Sequence, residues 1–323
     1  MSGITGQGTT FNLPNYTGRL FTVSPTETKF LSMIGGLQGA APAKSTEFDW
    51  QTYDLRAAAI RGRLEGANAP TSEERVRANV NNVLQIFHEA VEVSYTKIAA
   101  VAQLAGDFTP NANEDNPVVD EVAWQITQEL KIIATDLNLS LFTGTYAKPA
   151  DNTAPRLTRG LVSAIVSNVS ANGGTLRDLT TTIVLDAIQS AWTGGGFREG
   201  ESATLFVGAD LKRAITKLFI TDKNYREQSR TIGGVACTTI ETDFGTLNVV
   251  LDRYVPANQI VGASLDSCRL RYLDIPGKSG LFVEPLAKTG SAERSQLYGE
   301  FGLEYGHEKN HFLIKDVKAP AGS

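Results

Sequence analysis

Apolar and polar positions alternate through Thr46-Glu47-Phe48-Asp49-Trp50, the period of a strand with one covered face. Tyr53 and Leu55 continue the alternation out of phase, which predicts a bulge or twist near Thr52. From Arg56 to Pro70 the chain offers turn residues and charges but few large apolar groups, so this tip can pack no core of its own. It returns through Glu73, Glu74, Arg75, Val76 and Arg77. Val83, Leu84, Ile86, Phe87, Val91 and Val93 then read as strand again. A two-stranded ribbon is marginal alone in water, so support from another copy of the chain is expected. An ordinary mobile surface loop is the other reading of such a segment.

The period then lengthens. Ser94 is expected to cap a helix from Tyr95 to Ala105, ended by Gly106. Asn116-Pro117 reads as a second cap followed by proline at the first helical position, with Asp120 and Glu121 suited to the positive end of the helix dipole. Val118, Val122, Ile126, Leu130, Ile133, Leu137 and Leu141 recur every three or four residues, and the run closes near Gly144. From Pro117 to Phe142 such a helix spans roughly 39 Å. Its polar opposite face makes it a spine packed on a sheet rather than a membrane span.

Beyond it, Thr175–Trp192 reads as helix stopping at Gly194-Gly195-Gly196, Thr204–Val207 as a buried strand and Ala209–Phe219 as helix. Thr238–Leu251 reads as a hairpin turning at Phe244-Gly245. Strands follow at Gln259–Gly262, Arg269–Leu273 and Leu281–Glu284, and a strand-turn-strand from Ser295 to Val317 closes the chain. Helices and strands are segregated rather than alternating, which is the α+β class.

This order of elements resembles the tailed-phage major capsid proteins of the HK97 fold. The resemblance is carried by an extended N-terminal arm through Phe21 and Phe30, the ribbon from Ser45 to Thr96, the spine helix and the ending Tyr298–Lys315. The phrases Leu13–Phe21, Ser140–Thr145 and Thr158-Arg-Gly-Leu161 are similar to the SU10-like branch of that group. The resemblance covers nearly the whole chain. It implies an N-terminal arm over residues 1–44, an E-loop ribbon over 45–96, a P-domain over 97–165 and 285–323, and an A-domain over 166–284. It further implies hexamers and pentamers of the chain tiling an icosahedral shell around packaged double-stranded DNA, with a portal and separate scaffolding or decoration proteins as further partners. The place implied is the virion shell, assembled in the host cytoplasm. An encapsulin-like cellular compartment is the alternative use of the same fold.

Within that framework Phe48, Trp50, Arg56, Arg61, Arg63, Glu65, Glu73, Glu74, Arg75 and Arg77 are the expected E-loop contacts between subunits. Both charge signs are interleaved there on an element without a core, which suits ion pairs across subunit boundaries; a solvated face is the plain alternative. Phe48, Trp50 and Phe87 suit packing of the ribbon on a neighbour or on its own body. Phe11, Tyr16, Phe21 and Phe30 are expected as pegs of the N-terminal arm in an adjacent subunit, or folded back on their own. Some shells of this fold cross-link through an E-loop lysine, but residues 45–96 contain none, so non-covalent contacts are expected to hold the shell. No long helical segment precedes the arm, from which a separate scaffold or none, and no removal of a prodomain, are expected.

Composition adds exclusions. The net charge of -5 argues against a tight nucleic-acid binder, which neutralises phosphates with clustered Lys and Arg. A container filled by a motor needs no such patch. There is no signal peptide pattern and no apolar run long enough to span a bilayer. The two cysteines, Cys237 and Cys268, indicate no disulfide framework, and a reducing cytosol suits assembly.

One enzyme signature is present: His307-Glu308-Lys309-Asn310-His311 matches the H-E-x-x-H pattern of zinc metallopeptidases. That chemistry needs both histidines on one helical face, a third ligand and the glutamate as general base. Gly306 before the motif and the strand-like Phe312–Val317 after it favour a turn instead. Gly277-Lys278-Ser279 resembles the end of a phosphate-binding loop, but Tyr272 stands where its first glycine belongs. No catalytic residue, metal or cofactor is expected.

Overall fold

The computed structural model describes residues 22, 24–56, 58–102, 120–196, 203–221, 227–232 and 235–320. The first elements are α1 (Lys29–Met33), β1 (Ala41–Ala43), β2 (Glu47–Tyr53), β3 (Arg77–Val83), β4 (Gln85–Ser94), α2 (Tyr95–Ala102) and α3 (Glu121–Thr143). Next come α4 (Leu161–Ala164), β5 (Val169–Ser170), β6 (Arg177–Asp178), α5 (Thr181–Thr193), β7 (Ala203–Val207) and α6 (Ala209–Thr221). The rest is nearly all strand: β8 (Glu227–Ile232), β9 (Val235–Thr242), β10 (Gly245–Leu251), β11 (Ile260–Ala263), β12 (Arg269–Leu273), β13 (Phe282–Pro285), β14 (Ala292–Glu304), β15 (Phe312–Ile314) and β16 (Val317–Lys318).

The chain divides into two compact units. The larger comprises Glu27–His88, Ile133–Phe282 and Tyr298–Ser323; the smaller comprises Met1–Thr26, Glu89–Ile132 and Val283–Leu297. At the centre of the larger is a mixed sheet in the order β5-β15-β11-β7-β10-β9-β8. Its middle strand β7 is buried at every residue, because both faces are covered. Leu205 and Val207 face the cluster built by α5 and α6 with Ile188, Leu211 and Ile215. Phe206 faces the other way, edge-on to Phe30 of α1 at 5.6 Å and Phe142 of α3 at 5.5 Å; those two rings are 5.4 Å apart. A second sheet has the order β1-β12-β14-β13, with β4 also paired to β14.

Local chemistry sets the helix ends. Ser94 Oγ accepts the Lys97 amide at 3.3 Å, the expected cap of α2. The end expected at Gly106 and the cap pair Asn116-Pro117 lie outside the described residues. Helix α3 is described from Glu121, where Asp120 Oδ1 takes the amides of Val122 and Ala123 at 2.9 and 3.1 Å. Its 23 residues span about 35 Å. Full burial is reached at Ile133, Leu137 and Leu141, one stripe at a four-residue spacing. In the smaller unit Arg294 pairs with Glu92 at 3.0 Å and the Lys288 ammonium lies over the Tyr95 ring.

Several expectations are corrected. The ribbon has no bulge: the β2–β3 register runs unbroken from Glu47↔Val83 through Thr52↔Ala78 to Tyr53↔Arg77. The phase break arises because Tyr53 points to solvent and Leu55 lies beyond the strand. Helix α5 starts at Thr181, where Thr180 Oγ1 accepts the Ile183 amide; Arg177 and Asp178 upstream are a strand paired with β16. The strand-turn-strand ending forms as expected, with β14 and β15 in different sheets. The 238–251 hairpin forms, turning at Asp243-Phe244 with Thr242 opposite Gly245. Among the described residues no helix is long and apolar enough to cross a membrane.

Candidate assembly surface

The ribbon is fastened at one end. Phe48 stacks on Trp50 with ring centres 5.9 Å apart, and Trp50 meets Tyr305 edge-on at 4.9 Å. The indole N–H of Trp50 donates to the Gly306 carbonyl at 2.7 Å. Two glycines make this seat possible. A Cβ on Gly302 would lie 2.8 Å from the Phe48 ring, and Gly306 adopts φ +64°, which a side chain disfavours. Asp54, just past β2, reaches Lys309 Nζ at 2.7 Å and His307 Nε2 at 3.3 Å. Lys309, with a smaller contribution from His307, holds the Asp54 carboxyl below the usual carboxylate range. Near the end of β3 the buried Asn82 accepts the Arg159 amide at 2.8 Å and donates to the carbonyls of Arg159 and Leu303 at 3.1 and 2.7 Å. Its buried polar atoms are thus paired, and it pins the return strand to the body.

In the tip beyond Asp54, the side chains of Arg56, Arg61, Arg63 and Arg75 find partners within the tip itself. The described residues between Asp54 and Val76 are in neither helix nor strand, with a tight turn at Leu64–Ala67. Arg56, Arg61 and Arg75 converge on one carboxylate, Glu73, at 3.3, 2.8 and 2.9 Å, all within the chain. Arg75 first, then Arg61, holds Glu73 below the usual carboxylate range. Arg63 donates to the Asn68 carbonyl at 3.3 Å, while Glu65, Glu74 and Arg77 are exposed. Interleaved with these charges are Leu55, Ile60, Leu64 and Val76, each at least 74% exposed. None of these four is among the contact residues expected from the sequence. Their signal was an aliphatic residue recurring in a segment that has neither strand nor helix to bury it.

The expected contact residues therefore separate. The tip charges stand at the exposed end, whereas Phe48 and Trp50 are half-buried on their own chain. Phe30 is not an exposed peg but takes the other expected course, folded back on its own chain: it has no exposed surface, being enclosed by Phe142 and Phe206. Phe11, Tyr16 and Phe21 lie outside the described residues.

The H-E-x-x-H segment is a turn, which overturns the metallopeptidase alternative. Glu308–Asn310 is a single 3-10 turn, so no helical face aligns the two histidines. His307 Nδ1 accepts the Lys309 amide, and its Nε2 faces Asp54. His311 is wholly buried; Nδ1 accepts the Ser264 amide at 3.3 Å and Nε2–H donates to the Tyr305 carbonyl at 2.8 Å, so neither nitrogen is open to a metal. Burial pushes its pKa down to about 4. Burial also opposes charge on Glu308, but the Ser167 hydroxyl and the amides of Ser167 and Val166 outweigh it and hold this carboxyl low. Among the described residues no group of three or more His, Cys, Asp or Glu is placed to hold a metal. Gly277 and Lys278 form a tight turn, and Gly194–Gly196 donate to the carbonyls of Ser190, Trp192 and Ala191, ending α5 as expected. Burial raises the Cys268 thiol to about 12, leaving it unreactive.

Residues 3–318 match the family model described as SU10 major capsid protein. Among curated proteins none matches the sequence. The capsid asymmetric unit of cyanophage A-1(L) is similar over 97% of this chain and 99% of its own, at 13% identity and a TM-score of 0.69. For the capsid of Myoviridae phage XM1 the values are 98%, 99%, 12% and 0.61. The SrpI encapsulin complex from Synechococcus elongatus PCC 7942 gives 95%, 92%, 11% and 0.58. At these identities the structural likeness establishes the fold.

Proposed function

The chain belongs to the SU10 major capsid protein family and has the HK97-like capsid fold, and from that premise we propose that it assembles as hexamers and pentamers into an icosahedral phage head around packaged double-stranded DNA. Residues 45–96 act as the E-loop, 97–165 with 285–323 as the P-domain, 166–284 as the A-domain and 1–44 as the N-terminal arm. The observation that carries this reading is the ribbon: anchored by Trp50 and Asn82 at one end, it presents Leu55, Ile60, Leu64 and Val76 to solvent at the other. Isolated apolar residues on a surface are ordinary, but four on one unsupported projection fit a contact with another molecule. The tip arginines not consumed by Glu73 serve the same contact.

With a net charge of -5 the wall confines DNA rather than gripping it. Portal, scaffolding and decoration proteins are its further partners, and the host cytoplasm its place of assembly. The role is structural, with no catalytic step assigned. The encapsulin reading rests on shared fold alone, whereas the family match is to capsid proteins. Electron microscopy of particles from the source tests this. Closed icosahedral heads containing long DNA, with this chain as the main protein, are expected; small shells holding an enzyme, or no shells, would overturn it.

A further inference from the structure

Helix α1 has only five residues, too few to hold a helix in water without tertiary support. Its docking supplies what it lacks. Phe30 and Leu31 are buried, and the Leu31 amide donates to Asn138 Oδ1 of α3 at 2.9 Å. Asp252, the residue after β10, is 1% exposed. Its own amide donates to the Val207 carbonyl at 3.0 Å, and its Oδ1 accepts the Tyr254 amide at 2.9 Å. Its Oδ2 has no hydrogen-bond partner among the protein groups, and the Phe30 amide eases the charge only from outside bonding geometry. Asn138 Nδ2, equally buried, is also without a protein partner. The seat of α1 thus combines three interlocked rings with one buried acceptor and one buried donor left unmet, each of which weakens the docking.

The charges around Asp252 do not neutralise it. Glu27, just before α1, repels its carboxylate, while Lys29 of α1 attracts it. Arg253, the next residue, reaches Glu27 at 3.8 Å instead. Asp210, in the first turn of α6, shares with Asp252 and Arg253 the wall of an open cleft of about 390 Å³, and adds a second acidic group rather than a cation. That cleft brings water, and so protons, to the buried side chain. Burial first, helped by Glu27, raises the Asp252 carboxyl above the usual carboxylate range, against the Tyr254 and Phe30 amides and Lys29. We propose that α1 is a proton-operated bolt, seated tightly while Asp252 is neutral and loosened when Asp252 ionises, which frees Phe30 from Phe142 and Phe206. The sign follows from linkage. A carboxyl that is harder to ionise in the folded seat favours that seat in acid, and the contribution is lost as the pH rises through its folded value. The bolt stands on the geometry of this chain alone, and holds or fails whether or not the chain builds shells.

Hydrogen exchange on the full-length chain, read by mass spectrometry between about pH 8 and about pH 4.5 and corrected for the intrinsic pH dependence of exchange, tests the bolt. The β7 amides report opening of the whole unit, His311 included, and serve as the reference. In wild type, protection of the α1 amides relative to β7 is expected to rise toward acid, by about tenfold for each pH unit by which the Asp252 value is raised. Asp252→Asn retains an oxygen for the Tyr254 amide and cannot ionise, so its α1 is expected to be well protected at every pH, with no rise. Glu27→Gln removes the repelling charge and is expected to move the rise to lower pH, a shift that a purely structural carboxyl would not show. Wild-type protection that stays flat or falls toward acid, or an Asp252→Asn chain that keeps the wild-type rise, would overturn the bolt. Should Asp252→Asn fail to fold, a Glu27→Gln midpoint equal to that of wild type overturns it instead.

Discussion

Wholly buried between Tyr305 and Ser264, His311 is neutral, with the Nε2–H tautomer fixed by the bonds it makes. Its pKa falls from 6.5 to about 4, chiefly through burial. Between those values the unfolded chain binds a proton that the folded chain refuses. This contribution is therefore complete above about pH 6.5 and is lost as the pH drops toward 4, amounting to about 3 kcal/mol at most. His311→Ala is expected to lower stability by about 3 kcal/mol at pH 7.5, through a cavity and two unpaired backbone groups. It should also flatten the loss between pH 6.5 and 4 relative to wild type. Urea unfolding of both proteins at the two ends of that window checks this; an unchanged pH slope would contradict it. The turn around His311 was legible because Gly306 and the apolar Phe312–Val317 speak locally. Phe30 was not, since its partners Phe142 and Phe206 lie more than 100 residues away and nothing in the arm announces them.

At the scale of elements, the ribbon holds its direction through aromatic packing more than through charge. Trp50 combines a 2.7 Å hydrogen bond with an edge-on contact to Tyr305, whereas Asp54 pairs with Lys309 and His307 in a largely exposed setting. Trp50→Ala is expected to cost about 2 kcal/mol and to speed exchange of the β2 and β3 amides, while Asp54→Asn stays below about 1 kcal/mol. Hydrogen exchange on the unassembled variants measures both, and the reverse order would sink the assignment. The alternation from Glu47 to Trp50 and the four-residue repeat of Ile133, Leu137 and Leu141 made ribbon and spine readable. Elements decided by distant partners were not. Arg177-Asp178 is a strand only because Val317-Lys318 pairs with it, and β14 and β15 separate because each finds a different sheet. Asp120, read as one of the acidic residues of the opening turns, accepts the amides of Val122 and Ala123.

For the whole molecule, residues 45–96 lack the lysine that a covalent E-loop cross-link would need. Shells dissolved in hot detergent should therefore run as single chains, and a ladder of covalent multimers without added oxidant would contradict a non-covalent wall. The most direct test of the central claim, that an unsupported ribbon exists to bind a neighbour, is a cryo-electron microscopy reconstruction of the assembled particle that traces residues 54–76. The expected map shows closed icosahedral shells in which Leu55, Ile60, Leu64 and Val76 of each subunit are buried against another copy. A shell in which those four residues remain in solvent, or a particle in which this chain forms no shell, would contradict it.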